Sequence, residues 1–358
     1  MSAGLPRVIA FYLPQFQPTV ENDGWWGKGF TEWTLVSAAT PLFSGHRQPR
    51  RPGELGYYDL RVEETRQAQA DLAEAHGISG FCYYHYWSLG RRLLGRVLDE
   101  VRSTGVPDTP FCLNWANHPW SRRWAGTTNE LLLDQEYSPE DDLAHIRWLC
   151  GVFEDTRYIR VGDRPLLLIH WADHLPDIQR TLETWRSEAR RLGAGEPYLC
   201  RVESLNEHRG VDPRPLGFDA SVQWEPLVTR ISLGRRRTDP AELGLAADAS
   251  SGLKANKVFS YEEFVDTSIS RPRPPYPHHP VVCPGWDNRA RRPYGGARVL
   301  IGADPLAYRR WLAHAVETQR HQDPGLVFVN AWNEWSEGAY LEPDSDFGRG
   351  FLRAQLGL

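Results

Sequence analysis

Short apolar runs alternate with amphipathic segments along most of this chain of 358 residues. Eight of the runs are nearly continuous in apolar residues, as expected for parallel strands that are buried on both faces of a sheet. They predict strands at 8–13, 78–84, 110–115, 165–170, 198–202, 220–223, 281–284 and 326–330. Apolar residues spaced three and four apart predict helices at 63–76, 92–103, 139–152, 176–192, 261–268 and 305–321. The alternation predicts repeated βα units.

This number of βα units predicts an α/β fold, a single (β/α)8 TIM barrel over residues 1–358. Long βα-loop insertions are expected at about 17–59, 228–257 and 285–302, where little periodicity is visible. A doubly wound open sheet is the alternative, but it usually carries a glycine-rich first βα turn. The first strand is followed instead by the segment 14–18, Pro-Gln-Phe-Gln-Pro, which favours the barrel.

The ends of the predicted strands carry hydrogen-bonding residues beside aromatic ones. In a (β/α)8 barrel the loops after the carboxyl ends of the strands carry the chemistry. Polar groups beside broad aromatic faces suit a polyhydroxylated ligand, so a carbohydrate substrate is predicted. The residues predicted to bind it are Tyr12, Glu32, Trp33, Tyr84, His85, Tyr86, Asn114, Trp115, Asn117, His170, Gln223, Glu225, Trp286, Asp287, Asn333, Trp335 and Glu342.

The eighth predicted strand runs directly into three glutamates, Glu334, Glu337 and Glu342, which are interleaved with tryptophans. Paired carboxylates are the groups that glycosidic-bond chemistry uses, one as proton donor and one as an anion at the sugar. An ordinary surface loop with solvated acids is the alternative. We expect Glu334 and Glu337 to be catalytic. Desolvation beside Trp332 or Trp335 should raise the pKa of Glu337, whereas Glu334 should stay ionised.

Composition excludes several other kinds of function. The net charge of −5 provides no basic surplus for nucleic acid. The histidines lack the spacing of a zinc site, and the acidic triplet at 344–346 is too short to predict a metal, so no metal and no cofactor are expected. Fifteen tryptophans exceed the 14 tyrosines and 13 phenylalanines, and about half of them are assigned to the core and half to ligand stacking.

The five cysteines and the N-terminus bear on location. The cysteines include no Cys-x-x-Cys pair and lie mostly in apolar runs, which indicates reduced structural thiols. No basic flank followed by a long apolar run is visible at the N-terminus, so no signal peptide and no membrane span are expected. The predicted location is the cytoplasm. The oligomeric state is not predicted.

Several motifs resemble those of known families. The segment 333–338, Asn-Glu-Trp-Ser-Glu-Gly, followed by Leu-Glu-Pro at 341–343, resembles the element after the last barrel strand in glycoside hydrolase family 99, the endo-α-mannosidases. The whole chain resembles the related WbsX-type proteins more closely. The shared motifs lie at 11–16 (FYLPQF), 29–33 (GFTEW), 80–87 (GFCYYHYW) and 115–117 (WAN).

The family 99 resemblance implies roles for two of the acids. Glu337 would be the general acid/base, and Glu334 would act on the sugar 2-hydroxyl. In that family the hydroxyl is proposed to attack the anomeric carbon, giving a 1,2-anhydro sugar and net retention. Family 99 commonly has His where Ser336 stands, so mannose specificity does not carry over.

A retaining glycoside hydrolase acting on a bacterial polysaccharide or oligosaccharide is therefore the leading hypothesis. The alternative is a glycosyltransferase or transglycosylase in surface polysaccharide (O-antigen or lipopolysaccharide) biosynthesis, because WbsX-type proteins are associated with such gene clusters and carry that label. The chain has no recognisable nucleotide-binding fold, which counts against the alternative. A third hypothesis is a carbohydrate-binding barrel without catalysis.

Overall fold

A closed barrel of eight parallel strands is formed by the part of the chain that this computed structural model describes, residues 5–122, 130–204, 210–226, 234–243 and 245–358. The first strand, β1 (Arg7–Tyr12), pairs with β2 (Gly80–Ser88) on one side and with β8 (Leu326–Val329) on the other. Ala10 lies opposite Val329, and this pairing closes the barrel. The predicted fold is thereby confirmed. The strands are β1 (Arg7–Tyr12), β2 (Gly80–Ser88), β3 (Phe111–Trp115), β4 (Arg164–Ile169), β5 (Tyr198–Val202), β6 (Ala220–Gln223), β7 (His278–Val282) and β8 (Leu326–Val329).

Six longer helices surround the described part of the barrel. They are α1 (Glu63–Ala75), α2 (Arg96–Thr104), α3 (Pro139–Phe153), α4 (Ile178–Arg191), α5 (Tyr261–Ile269) and α6 (Pro305–Gln319). Helix α6 begins as its sequence predicts, with Asp304 accepting hydrogen bonds from the backbone of Leu306 and Ala307. α2 begins four residues later than predicted because the segment Arg91–Leu93 pairs with the end of β2 as an antiparallel strand.

The expected insertions contain regular structure of their own. Strand Lys257–Ser260 pairs in parallel with Arg298–Ile301, which pairs antiparallel with Trp286–Asp287. This small sheet anchors both ends of the 285–302 insertion. Periodicity over a few residues is too short to predict such strands. Of the 228–257 insertion, residues 228–233 and 244 lie outside the described residues.

Short elements complete the described chain. The remaining strands are Trp120–Ser121, Leu131–Leu133, Arg160–Val161, Asn333–Glu334 and Ala339–Tyr340. The short α-helices are Val20–Trp26, Glu32–Ala38, Ser250–Ala255 and Gly350–Arg353. Single 3₁₀ turns are Ala172–His174, Arg214–Leu216, Pro240–Leu243, Ala247–Ala249 and Trp335–Glu337.

The five cysteines are all buried, and none of them forms a disulfide. Among the described residues, no helix combines the length and the apolar character that crossing a membrane requires.

Candidate active site

A cavity of about 250 Å³ opens at the carboxyl ends of the barrel strands. Aromatic rings and ionisable groups form its walls. Because the carboxyl ends of all eight strands meet at one face, residues far apart in the chain converge there. The lining residues are Leu13, Tyr84, Tyr86, Ala116, His118, His170, Trp171, Trp224, Trp286, Asn288, Arg291, Arg292, Glu334 and Glu337.

Six residues predicted from the sequence line this cavity: Tyr84, Tyr86, His170, Trp286, Glu334 and Glu337. The others lie elsewhere. Alternation along strands explains two of them, since successive side chains point to opposite faces. His85 lies between Tyr84 and Tyr86, so its ring faces away from the cavity and contacts His145 of α3, with 2.9 Å between the Nε2 atoms. Trp115 likewise packs outward, against His145 and Trp185 of α4.

Two predicted asparagines support the cavity wall from behind. Asn114 is fully buried, and its Nδ2 lies 3.1 Å from Nδ1 of His170, a ring that lines the cavity. Asn117 donates to the backbone oxygen of Trp171 and accepts from the backbone nitrogen of the same residue. Both amides therefore fix residues of the wall without lining it.

Asn333 links the loop after β8 to the residue that follows β1. Its Oδ1 accepts from the backbone nitrogen of Leu13 at 2.7 Å, and its Nδ2 donates to the oxygen of Leu13 at 3.0 Å. This two-point bond mimics a strand ladder and holds the loop after β8 against the end of β1. Glu334, the next residue, is directed into the cavity by this anchor.

The third glutamate, Glu342, is buried in a hydrogen-bond network outside the cavity. It accepts from the indole of Trp335, from Tyr58 and from Gln69, and Gln69 in turn accepts from Tyr12. The Trp335 ring is fully buried and stacks on Tyr340. It does not line the cavity. Trp33 packs against Trp335 and donates to the backbone of Tyr58.

Burial raises the pKa of Glu342 to about 7, although the donors Trp335, Gln69 and Tyr58 oppose the rise. A carboxyl whose folded pKa exceeds its unfolded value stabilises the fold at acidic pH, and this contribution is lost as the pH rises through the folded pKa. We expect the free energy of unfolding to fall by about 3 kcal/mol between the ordinary glutamate pKa and about 7. Urea unfolding at a series of pH values measures it. In Glu342→Gln this part of the pH dependence should disappear, and its persistence would contradict the assignment to Glu342.

Three further predicted residues lie away from the cavity. Gln223 and Glu225 line a separate pocket beside α5 and α6, where Glu225 accepts from Arg271 at 2.6 Å. Asp287 is fully buried and accepts from His46 and Gln48. Burial raises the pKa of Asp287, but His46, Arg50 and Gln48 hold it below its usual range. Asp287 thus ties the 17–59 insertion to the loop after β7.

Gly338 closes the turn between Glu337 and strand Ala339–Tyr340, and only glycine fits there. Its φ is +62°, and a Cβ at this position would lie 2.9 Å from Cβ and N of Asp287. We expect Gly338→Ala to lower the free energy of unfolding by about 2–5 kcal/mol, from backbone strain plus overpacking. Urea unfolding measures this. Gly348→Ala is the matched control, because Gly348 has φ +53° with no atom near a built Cβ, so it isolates the backbone cost of about 1–2 kcal/mol. Equal losses in the two variants would refute the proposed clash.

Arg291, from the 285–302 insertion, connects the acids of the site. Its Nη1 donates to Glu337 at 2.7 Å, and its Nη2 contacts Glu334 at 3.0 Å and Glu32 at 3.4 Å. Its Nε donates to the hydroxyl of Ser336 at 2.6 Å. The Arg291 side chain is 13% exposed, so it neutralises carboxylates in a largely desolvated position.

Burial raises the pKa of both cavity glutamates, although Arg291 opposes the rise in each case. The side chain of Glu334 is 6% exposed, against 19% for that of Glu337, so Glu334 is the more deeply buried of the two. The expectation that only Glu337 is desolvated is therefore wrong. The physical reason is that Asn333 anchors Glu334 deeper in the barrel mouth, whereas Glu337 lies one 3₁₀ turn further out.

Eight lining residues were not predicted as site residues. Four of them, His118, Trp171, Trp224 and Asn288, follow predicted strands within a few positions, so the strand-end rule was sufficient to find them. For Arg291 and Arg292, the sequence shows only that their insertion is rich in arginine. Their place in the cavity wall depends on the pairing of the small sheet, which the sequence pattern does not predict. Among the described residues, no group of three or more His, Cys, Asp or Glu side chains is arranged to hold a metal ion.

The fold of the chain is similar to those of solved glycoside hydrolase structures. The chain resembles a glycoside hydrolase-like protein, with a TM-score of 0.60 and 14% identity over 99% of this chain and 94% of the other. It also resembles the GH99 endo-α-mannosidase from Bacteroides thetaiotaomicron, with a TM-score of 0.57 and 13% identity over 98% of this chain and 95% of that one. The fold is that of the family 99-like (β/α)8 barrels.

Residues 8–355 match the family described as Glycosyltransferase WbsX, and the chain belongs to this family. Two relatives from Xanthomonas campestris pv. campestris, both described as uncharacterized protein WxcX, are 42% and 41% identical over 97% of this chain. The match covers 48% of each, so the chain spans about half the length of the curated relatives. The resemblance noted in the motifs is confirmed for both family and fold.

Proposed function

We propose that this protein is a glycoside-processing enzyme, and specifically a retaining glycoside hydrolase that cleaves a bond in a bacterial polysaccharide or oligosaccharide. The observation that carries the proposal is the pair of largely buried glutamates, Glu334 and Glu337, that face one cavity and share Arg291. Two carboxylates with aromatic walls at the mouth of a barrel suit glycosidic-bond chemistry. The WbsX family description is consistent with carbohydrate as the substrate class.

Each glutamate has a defined role in the proposed reaction. Glu337 donates its proton to the glycosidic oxygen as that oxygen leaves the anomeric carbon. Glu334 accepts the proton of the sugar 2-hydroxyl, whose oxygen bonds to the anomeric carbon and forms a 1,2-anhydro sugar. Water then attacks the anomeric carbon and loses a proton to Glu337, while Glu334 returns its proton to the 2-oxygen. Two inversions give net retention, and both glutamates return to their initial protonation states.

Burial and the charge of Arg291 act on both glutamates. Burial raises the pKa of Glu337, which is the direction that a general acid requires. A raised pKa also makes ionised Glu334 a stronger base toward a weakly acidic hydroxyl. Arg291 opposes protonation of both groups, so it helps Glu334 to enter the reaction as a carboxylate.

The aromatic walls support a pyranose as the unit that is bound. Trp171, Trp224 and Trp286 line the cavity together with Tyr84 and Tyr86. Indole rings stack on the C–H face of a sugar, while the rim groups form hydrogen bonds with its hydroxyls. His118 and His170 are buried, and burial lowers the pKa of both, to about 4 for His118 and about 3 for His170. They therefore act as neutral hydrogen-bonding groups at neutral pH.

Product analysis tests the proposal. The full chain is incubated with a panel of bacterial polysaccharides and aryl α- and β-glycosides, and reducing ends are measured. The anomer formed first is read by proton NMR before mutarotation. We expect cleavage with retention, lost in Glu334→Gln. The matched control is Glu74→Gln, an exposed glutamate on α1. An inverted product, or cleavage that survives in Glu334→Gln, would contradict the mechanism.

The family description favours transfer to a sugar acceptor as a second candidate function. In a transglycosylase the same acids act, but a sugar hydroxyl replaces water in the second step. Mass spectrometry of products formed with added oligosaccharide distinguishes longer chains from hydrolysis. A nucleotide-sugar transferase would in addition bind a nucleoside diphosphate, which calorimetry with UDP or GDP in the presence of Mg²⁺ or Mn²⁺ measures.

A further inference from the structure

Arg291 lies on the border between two cavities. It lines the main cavity with Glu334 and Glu337, and it also lines a pocket of about 20 Å³ with Glu32. The apolar part of that pocket is formed by Trp26, Phe30, Leu35 and Trp120. The same guanidinium therefore has carboxylates on two sides.

Glu32 is only partly used by this guanidinium. Its Oε1 lies 3.4 Å from Nη2 of Arg291, a long contact. Its Oε2 is buried and accepts no hydrogen bond from any residue that the structure describes. A buried carboxylate oxygen without a donor is costly, and guanidinium–carboxylate pairs are strongest when both oxygens are engaged. Glu32 thus offers Arg291 a better contact than the one it makes.

The contact with Glu337 conflicts with proton donation. Glu337 must be protonated before it can donate to a leaving oxygen. A guanidinium 2.7 Å from Oε1 of Glu337 favours the ionised form of that carboxyl. Protonation of Glu337 removes the charge attraction to Nη1 and weakens this contact, and Glu32 offers the N–H a charged acceptor instead.

We propose that Arg291 is a positioning residue that exchanges its contact with Glu337 for a bidentate pair with Glu32 when Glu337 takes up a proton. This inference rests on the proposed role of Glu337 as proton donor. In the exchange Nη1 moves from Glu337 to the unpaired Oε2 of Glu32, while Nη2 remains between Glu32 and Glu334. Nε keeps its 2.6 Å bond to Ser336, which serves as the pivot. Glu334 keeps its contact with Nη2 as Glu337 takes up its proton.

Ser336 makes this arrangement possible. A small hydroxyl at this position accepts from Nε and leaves room for the guanidinium beside both acids.

The proton itself is the probe for the test. Crystals of the full chain are equilibrated above and below the pKa of Glu337, and that pKa is measured by NMR on protein carrying ¹³C at the glutamate carboxyl carbon. Below the pKa, we expect both oxygens of Glu32 to lie within hydrogen-bond distance of Arg291, with the Glu337 contact broken. In Glu32→Gln, Arg291 should stay on Glu337 at the same pH, because the amide offers a single acceptor.

Variants of Arg291 give the second readout. Arg291→Lys and Arg291→Met should raise the pKa of Glu337, by about one unit or more in the methionine variant. Glu342→Gln is the control, since Glu342 has other partners, and it should leave the pKa of Glu337 unchanged. The exchange would be overturned if Arg291 kept its contact with Glu337 at low pH. It would also be overturned if the pKa of Glu337 were unchanged in both Arg291 variants.

The two proposals fail separately. The exchange is read from protonation and structure without any sugar, so an enzyme that cleaves no glycan in the panel can still show it. Conversely, if cleavage depends on Glu337 but Arg291 keeps its contact with Glu337 at low pH, the proposed hydrolase is supported and the proposed exchange is wrong. In a cleaving enzyme, Glu32→Gln should shift the alkaline limb of the kcat profile to lower pH, because Glu337 then stays paired and ionises more easily.

Discussion

Replacing Glu337 with glutamine is expected to lower kcat on a glycan by about 10²–10⁴-fold, because the leaving oxygen then departs without a proton. The amide keeps the size of the side chain and a donor–acceptor pair, so the cavity and its aromatic walls remain. The loss should depend on the leaving group. An aryl glycoside with a strongly acidic phenol needs no proton donor, so its cleavage should fall much less than that of a sugar leaving group.

The pH profile gives an independent check on Glu337. Burial raises the pKa of this carboxyl, so the alkaline limb of activity should lie above the ordinary glutamate range. That limb should disappear in Glu337→Gln. Initial rates across the acidic to mildly alkaline range, on both leaving groups, measure these effects. An equal loss of activity on both substrates in Glu337→Gln would indicate a damaged fold. Wild-type rates in this variant would exclude Glu337 as the acid.

The second large effect is expected from Arg291→Met, which leaves three mostly buried carboxyl groups without their shared cation. Removing one partner from a buried ion pair costs about 3–5 kcal/mol at a pH where the acids are ionised. Arg291 opposes the rise in pKa of Glu334 and Glu337, so its loss raises both pKa values further. Groups with raised folded pKa values stabilise the protein at low pH and lose this contribution as pH rises. The destabilisation should therefore be large at alkaline pH and small at acidic pH.

Urea unfolding of wild type and variant across pH measures this difference. Arg291→Lys is the matched control, since it keeps the charge but loses the fork that reaches two carboxylates, and it should cost less. A loss of stability in Arg291→Met that is independent of pH would show that the side chain contributes through packing alone.

The strand pattern predicted the barrel because buried parallel strands and their covering helices leave a local signature. The fifth and sixth strands have the predicted bounds, and most other ends differ by one to three residues. The errors occur where pairing overrides the apolar run. β2 continues to Ser88 because its end pairs with Arg91–Leu93, and β7 begins at His278 because β6 pairs with it there.

The candidate site was only partly visible in the sequence. The residues near the carboxyl ends of the predicted strands include much of the cavity wall, but successive side chains of one strand point in opposite directions. Tyr84 and Tyr86 line the cavity while His85 between them contacts α3. Sequence spacing predicts that neighbours alternate, but it does not say which of them faces the barrel axis.

By itself, the sequence determined the βα order, the family and the pair of glutamates after the last strand, because these depend on local periodicity and on contiguous motifs. The tertiary structure alone decided which acids share a cavity. It placed Arg291 between Glu334, Glu337 and Glu32 and enclosed Glu342 in a separate network. The reason is that burial and charge pairing join residues hundreds of positions apart. Arg291 and Glu32 come from different insertions, and their contact exists only once the barrel is closed.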